Sequence, residues 1–280
     1  MGRTRSGKVE SLQYVSIIQT LQIFLKKEYI FAHVIQGHQH DEFLRDFCDG
    51  SIYKSHTLFS EETPAIEVQL YNDDFTVANP IGNRVKQMKF SAFYFSLGNI
   101  PPQYRSKLGS IQLVLLCPSD VVAQYGMSQV MVPLIEDLKL LESVGIDFEK
   151  DGTKYNFKGT LSMVVADNLA AHGIGGFQES FNTDRFCRFC MVTKDDAKNH
   201  FRDYNLVPRN RESFNQQVEI VEQMPDVARV YGVKRNSPLH QLEHFYVVDG
   251  LPSDIAHDLF EGVIPDVMEK VILHCVITSL

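Results

Sequence analysis

The stretch that decides the fold runs from residue 163 to residue 190 and reads MVVADNLAAHGIGGFQESFNTDRFCRFC. It begins with an apolar, β-branched segment that ends at Asp167, and after a glycine-rich, polar loop it closes with Cys187 and Cys190. A strand fixes the direction of a carboxylate at its tip while the tip stays in contact with water, so Asp167 is a candidate metal ligand. The spacing of the two cysteines suggests a second metal, bound by thiolates, that holds the following loop.

The composition of the 280-residue chain is that of a globular protein, with 44% hydrophobic and 22% charged residues. A formal net charge of −8 argues against a protein that simply coats nucleic acid. Five cysteines, three of them isolated, make no disulfide framework and fit a reducing compartment. No apolar run is long enough to span a membrane, and no signal core follows the basic N-terminus. We therefore expect neither secretion nor a membrane partner.

The pattern outside the opening stretch predicts three further strands and a helix. In chain order the elements are strands at 65–71, 89–97 and 111–117, a helix at about 128–145, and a strand at 159–166. The first and the last of these strands run into acids, Asp73 and Asp167. This is the order of a ribonuclease-H-like core, where the first and fourth strands are neighbours and bring their carboxylates together. We therefore predict an α+β or α/β fold, a ribonuclease-H-like mixed sheet with flanking helices.

The sequence pattern predicts that the chain is divided into four parts. They are an N-terminal helical segment at 1–60, with a helix over 9–30, the core at 61–170, an inserted and mostly helical zinc-binding module at 171–250, and a C-terminal helix at 251–280 that completes the core. Ser253 can cap that last helix, and Pro265 can restart it. The chain stops at Leu280 in mid-pattern, which predicts a truncated protein.

Two carboxylates on adjacent strands and a third on a helix can hold two divalent cations for attack on phosphorus. Oxygen ligands favour Mg²⁺, or Mn²⁺, over softer metals. The third acid should lie on the helix after the insertion, where Asp254, Asp258 and Glu261 share one stripe with His257. We favour Glu261 as this acid and keep Asp258 as the alternative.

A zinc ion on Cys187 and Cys190 needs two more ligands. His240 and His244 have the spacing of a C₂H₂ site, and His257 is a further candidate. Unmetallated core thiols and a redox pair are the alternatives. The redox interpretation is the weaker, because the pair follows a polar loop and does not open a helix.

Four ordered blocks of the chain resemble the transposases of the CACTA (En/Spm-like) group of DNA transposons. The first block is YNDDFTVANPIG from residue 71, and the second is KFSAFYFSLGNIPPQYRSKL from residue 89. The third is ADNLAAHGIGGFQESF from residue 166, followed by FCRFC from residue 186, and the fourth is LPSDIAHDLFEGVIP from residue 251. The resemblance covers nearly the whole chain from Val9. It implies a nuclear DDE/D nuclease with a ribonuclease-H-like core, which cuts transposon ends, joins the 3′-hydroxyl to target DNA and self-associates on that DNA.

The resemblance also implies roles for single residues. Asp73 and Asp167 match the first two acids of the family, and Cys187 and Cys190 match its Cys-x-x-Cys pair. The third acid is Glu261 or Asp258, and we favour Glu261. The alternative function is that of a domesticated, catalytically inactive relic that binds DNA or protein.

Three positions depart from the family pattern. Ala166 replaces the usual glycine before the second acid, and Ala256 replaces the usual methionine before His257. Tyr246 stands where related sequences have a histidine, which leaves open which histidines complete the zinc site.

Overall fold

The computed structural model describes residues 11–39, 42–59, 63–77, 89–180, 182–199 and 206–278. The strands are β1 (Gln13–Tyr14), β2 (Ile66–Thr76), β3 (Lys89–Leu97), β4 (Gln112–Pro118), β5 (Ile146–Lys150), β6 (Thr153–Phe157) and β7 (Gly159–Ala166). The α-helices are α1 (Ile17–Leu25), α2 (Glu28–Gln36), α3 (Ser51–Lys54), α4 (Pro102–Arg105), α5 (Ser119–Tyr125), α6 (Met127–Val130), α7 (Val132–Ser143), α8 (Asn168–Gly175), α9 (Arg211–Gln223), α10 (Ala228–Tyr231), α11 (Val247–Gly250) and α12 (Ile264–Thr278), with wider π-helical turns at Ala256–Val263.

The central sheet is mixed and has the strand order β1-β4-β3-β2-β7. Strands β2, β3 and β4 pair antiparallel, whereas β7 pairs with β2 in parallel. Helices α1 and α7 pack beside this sheet and contribute to one continuous hydrophobic core. The prediction of a mixed α+β fold with flanking helices is therefore confirmed.

The core side of α7 follows the sequence pattern. Helical spacing predicts that Leu134, Ile135, Leu138 and Leu141 face inward, and all four are buried. They recur at the three- and four-residue spacing of one helix face, so burying them against the sheet removes a continuous apolar stripe from water.

Strand β2 is longer than predicted, so Asp73 lies inside the strand and not at its end. The added residues pair with β3 as far as Thr76 opposite Lys89, and this antiparallel partner extends the strand. The pairing with β7 stops earlier, at Asn72 opposite Ala166. Asp73 is therefore the first residue of β2 beyond its parallel neighbour.

The prediction of one helix over 9–30 is wrong, because the described part of this segment, from residue 11 onward, forms a short strand and two short helices. Gln13 pairs with Leu116 of β4, which holds the start of the segment extended. The side chain of Ser16 then accepts a hydrogen bond from the backbone of Gln19 and caps α1. The sequence pattern predicts no strand between 145 and 159, yet residues there form the β5–β6 hairpin around Asp151 and Gly152, both at positive φ.

The C-terminal helix does not restart at Pro265 but runs through it. Wider π-helical turns precede this proline and lead directly into α12. A proline ring clashes with the carbonyl four residues earlier in a regular helix, and wider turns relieve that clash. No helix within the described ranges is long and apolar enough to cross a membrane. The predicted boundary between residues 60 and 61 falls outside the described residues.

Glu142 is a buried carboxylate that ties three parts of the fold together. It lies in α7, and it accepts a hydrogen bond from the hydroxyl of Thr160 in β7. It also accepts bonds from the backbone nitrogens of Glu243, at 2.8 Å, and His244, at 3.3 Å. The segment before α11 is thereby anchored to the helix and the sheet.

We expect Glu142→Ala to lower the free energy of unfolding by about 3 kcal/mol, because three donors lose their acceptor inside the protein. Urea unfolding of the purified variant measures this change. Glu136→Ala, on the exposed side of the same helix, is the matched control and should change the free energy by less than about 0.5 kcal/mol. Equal losses in the two variants would contradict an anchoring role for Glu142.

Candidate functional site

Asp73 in β2 and Asp167, directly after β7, are the next residues beyond the last pair of these two parallel strands. Each follows the last residue of the pairing between β2 and β7, which is Asn72 opposite Ala166. Adjacent strands lie about 4.8 Å apart, so the two aspartates are neighbours across the sheet. Asn72 points into the protein and donates to Ser91, whereas Asp73 is exposed.

Asp167 is fixed by the helix that starts after it. Its side chain accepts a hydrogen bond from the backbone nitrogen of Ala170 at 2.7 Å, which caps α8. Its own carbonyl accepts from Ala171 at 2.8 Å. Because a carboxylate has two oxygens, the cap orients the group and leaves its second oxygen able to bind a cation.

Tyr71 is a site residue that the sequence reasoning missed. It precedes Asp73 by two positions on the same face of β2, which places its side chain beside the Asp73 carboxylate. Partial burial raises the pKa of Tyr71, and the negative charges of Asp73, Asp254 and Asp167 raise it further. One hydroxyl therefore lies within the field of three carboxylates. The two-residue spacing in a strand was the signal that could have identified it.

The C-terminal helix brings its acids toward the same place. The carboxylate of Asp254 accepts from the backbone of His257 at 3.2 Å, and its other oxygen lies 2.5 Å from Nδ1 of that ring. The hydrogen bond to Asp254 raises the pKa of His257, with a further contribution from Asp167. Asp258 accepts a bond from the amide of Asn168 at 2.6 Å. The predicted stripe thus approaches the start of α8.

Glu261 lies at the far end of this stripe. Its side chain is 71% exposed, and one of its carboxylate oxygens lies 4.0 Å from Nε2 of His257. Within the part of the chain that the structure describes, no three His, Cys, Asp or Glu side chains already converge as a metal site. The carboxylates of the candidate site lie around Tyr71 and His257 and do not converge on a common point.

Cys187 and Cys190 are brought together, as their spacing predicted. Burial raises the pKa of Cys190, and the neighbouring Cys187 raises it further. The backbone nitrogen of Phe189 donates to the sulfur of Cys187 at 3.3 Å, and the backbone of Val192 opposes the rise in the pKa of Cys190. Such N–H···S bonds favour the thiolate form, which is the form that binds zinc.

The three candidate zinc histidines have hydrogen-bond partners outside the cysteine loop. His240 contacts the side chain of Asn236 at 2.7 Å through Nδ1 and accepts from the backbone of Val247 at 3.3 Å through Nε2. His244 contacts Thr57 at 2.7 Å, and His257 contacts Asp254. The structure therefore brings the two cysteines together but not these histidines with them, and the full ligand set stays a prediction.

Two half-buried histidines should make stability depend on pH. Burial lowers the pKa of His56 and of His240 to about 4. Both rings accept backbone N–H groups, His56 from Leu58 and His240 from Val247, and protonation would remove these acceptors. The unfolded chain, whose histidines titrate near 6.5, binds more protons than the folded chain between these two values.

We therefore expect the free energy of unfolding to fall as the pH is lowered from about 6.5 toward 4. Urea unfolding at several pH values between 4.5 and 7.5 measures this slope. His240→Gln should reduce this slope, since it removes one of the two histidines. The loss of free energy of unfolding that the variant shows at pH 7.5 gives the part of its effect that does not depend on pH. A slope unchanged by the substitution would contradict the assignment.

The arrangement concentrates negative charge at one edge of the sheet. Carboxylates from β2, β7 and the C-terminal helix lie around one tyrosine and one histidine. Carboxylate oxygens are the ligands that Mg²⁺ and Mn²⁺ prefer, so the donor set fits such an ion. No protein-family model matches this chain, and no curated protein matches it with significance.

Proposed function

We propose that the chain carries the catalytic core of a DNA transposase of the CACTA (En/Spm-like) group, a ribonuclease-H-like nuclease that uses two divalent metal ions. The observation that carries the proposal is the parallel pairing of β2 with β7, which puts Asp73 and Asp167 at neighbouring positions. The strand order supports it, because three antiparallel strands with a parallel fourth beside the first is the ribonuclease-H-like arrangement.

In this proposal Asp73, Asp167 and Glu261 hold the metal ions, either Mg²⁺ or Mn²⁺. When bound, such ions activate a water or a 3′-hydroxyl and stabilise the leaving oxygen at phosphorus. The protein's own part is to orient the carboxylates. The α8 cap holds Asp167, and Tyr71 lies beside Asp73 on the same face of β2. The substrates are the transposon ends and the target DNA.

The test uses the purified chain and duplexes that carry the terminal repeats of the element. We expect it to bind Mn²⁺ in a calorimetric titration and to nick these duplexes only when Mg²⁺ or Mn²⁺ is present. Absence of both metal binding and nicking would overturn the proposal. DNA binding without metal binding or cleavage would favour the inactive relic instead. Nuclear localisation and self-association on DNA belong to the same proposal.

A structural zinc ion on Cys187 and Cys190 is the second metal in this proposal, supported by the interaction between the two cysteines and by the N–H···S bond to Cys187. We expect the purified protein to contain about one zinc per chain and its melting temperature to fall by about 5 °C or more on chelation. Cys187→Ser should lose the zinc, whereas Cys275→Ser, at an exposed position, should keep it. Metal analysis without zinc, and no effect of chelation, would rule this site out.

A further inference from the structure

Arg188 is a buried cation in the middle of the cysteine loop. It lies between Cys187 and Cys190, and only 4% of its surface is exposed. One terminal nitrogen of its guanidinium donates to the side-chain oxygen of Asn168 at 2.6 Å. The other donates to the carbonyl of Pro252, also at 2.6 Å. The two bonds join segments that are more than eighty positions apart in the sequence.

Both acceptors stand next to the acids of the candidate site. Asn168 directly follows Asp167 and is the first residue of α8. Its amide nitrogen also donates to Asp258 at 2.6 Å, so it links the guanidinium to the C-terminal helix. Pro252 lies two residues before Asp254, at the entry of that helix. One guanidinium thus holds the start of α8, directly after Asp167, and the entry of the C-terminal helix that carries Asp254, Asp258 and Glu261.

We infer that Arg188 is a positioning residue for the metal-binding acids, which fixes the C-terminal helix against α8 and connects both to the cysteine loop. The inference rests on the proposed function, since it concerns the same metal site. Arg188 contacts the acids through Asn168 and Pro252, and its part is to set their separation.

The chemistry of the guanidinium explains why arginine stands here. Burying a cation is unfavourable unless it is paired and hydrogen-bonded. Burial lowers the pKa of Arg188, while the negative charges of Asp258 and Asp254 oppose that change. A planar guanidinium can donate to two acceptors in fixed directions, whereas a lysine ammonium is a single point on a flexible stem. A lysine would keep the positive charge but could not donate to both acceptors in these fixed directions.

Two effects of removing Arg188 have opposite signs, which makes the test decisive. Through its charge alone, Arg188 repels a metal ion bound nearby, so its removal would strengthen metal binding. Through its hydrogen bonds it holds the acids in place, so its removal would weaken metal binding. Groups that orient metal ligands are typically worth about 10- to 100-fold in affinity.

The experiment measures Mn²⁺ affinity by electron paramagnetic resonance for the wild type, Arg188→Met and Arg188→Lys. We expect both variants to bind Mn²⁺ about tenfold more weakly or worse. Arg209→Met is the matched control, because Arg209 is equally buried and donates to the carbonyl of Cys187 at 3.0 Å. Its other bonds go to Gln217 and Tyr231, away from the acids. This control should lower the melting temperature and leave the affinity of the folded protein within about twofold.

Hydrogen exchange gives a readout that needs no metal. Residues 251–261 should exchange faster in Arg188→Lys than in the wild type and in Arg209→Met, because Arg188, unlike Arg209, donates to the carbonyl of Pro252 at the entry of that helix. The lysine variant keeps the charge and most of the packing, so it serves if the methionine variant fails to fold.

Three results would overturn the inference. The first is tighter Mn²⁺ binding in Arg188→Met together with unchanged binding in Arg188→Lys, which would show that Arg188 acts on the metal site only through its charge. The second is an equal loss of affinity in Arg209→Met, which would show general loosening. The third is unchanged exchange at 251–261 in Arg188→Lys. A wild type that binds no Mn²⁺ but shows the expected exchange would instead count against the proposed function alone.

Discussion

Asp73→Asn and Asp167→Asn are each expected to reduce Mg²⁺-dependent cleavage of transposon-end DNA by about a thousandfold or more, while the fold stays intact. Asparagine keeps the shape of the side chain and removes the charge that binds the cation. At position 167 it can still accept the bond from Ala170 and cap α8. Cleavage assays on gel-purified duplexes, together with circular dichroism of the same preparations, measure both expectations.

The same two variants should lose the stabilisation that metal gives. An ion that binds only the folded chain raises its melting temperature with concentration, and we expect this rise for the wild type in Mn²⁺. Without metal, each variant relieves repulsion among the neighbouring carboxylates, so its melting temperature should equal that of the wild type or exceed it. Thermal unfolding with and without Mn²⁺ separates the two effects.

Asp74→Asn is the matched control for this pair. Asp74 is the next residue of β2, it points to the opposite face, and its carboxylate lies 3.1 Å from the ammonium of Lys89. We expect this variant to cleave DNA within about threefold of the wild type. Cleavage lost equally in Asp74→Asn and Asp73→Asn would show that general damage to the strand, and not metal binding, explains the loss.

Glu261→Gln is expected to reduce cleavage by about a hundredfold or more without changing the melting temperature, since its side chain is 71% exposed. The other two acids of the stripe have local partners. Asp254 caps the helix and contacts His257, while Asp258 is held by Asn168. Glu261 makes the fewest contacts of the three, which leaves its carboxylate able to complete a metal site.

Asp254→Asn and Asp258→Asn complete this comparison. We expect Asp254→Asn to lower the melting temperature, because it weakens the contact with His257, and to retain more cleavage than Glu261→Gln. Asp258→Asn should act through Asn168 and have an intermediate effect. Normal cleavage by Glu261→Gln, together with an inactive Asp254 or Asp258 variant, would make that other residue the third acid.

The elements predicted best from sequence are those whose pattern is local. The strands at 89–97 and 159–166 have the predicted bounds, since alternation and β-branched runs follow from the two-residue period of a strand. The inward face of α7 followed in the same way from helical spacing. The β5–β6 hairpin was missed although its Asp151-Gly152 turn is a recognised local signal.

Elements whose bounds depend on distant partners were predicted less well. The apolar residues between 12 and 25 fit one helix by spacing, but Gln13 is held extended by Leu116, more than one hundred positions away. Strand β2 extends past residue 71 because β3 supplies partners as far as Lys89. Hydrogen bonds to another strand decide such bounds, and spacing along the chain does not encode them.

For the site, the sequence by itself predicted that the strands leading to Asp73 and Asp167 are neighbours, and that Cys187 and Cys190 form a pair. Only the tertiary structure decided that Asp73 lies inside its strand, that Tyr71 lies among three carboxylates, that the candidate zinc histidines bond elsewhere, and that Arg188 joins the start of α8 to the entry of the C-terminal helix. The geometry of a strand or of a Cys-x-x-Cys pair is local, so the sequence pattern is enough to predict it. A bond between residues 188 and 252 depends on how the whole chain packs, because its free energy arises only when burial has brought the two segments together.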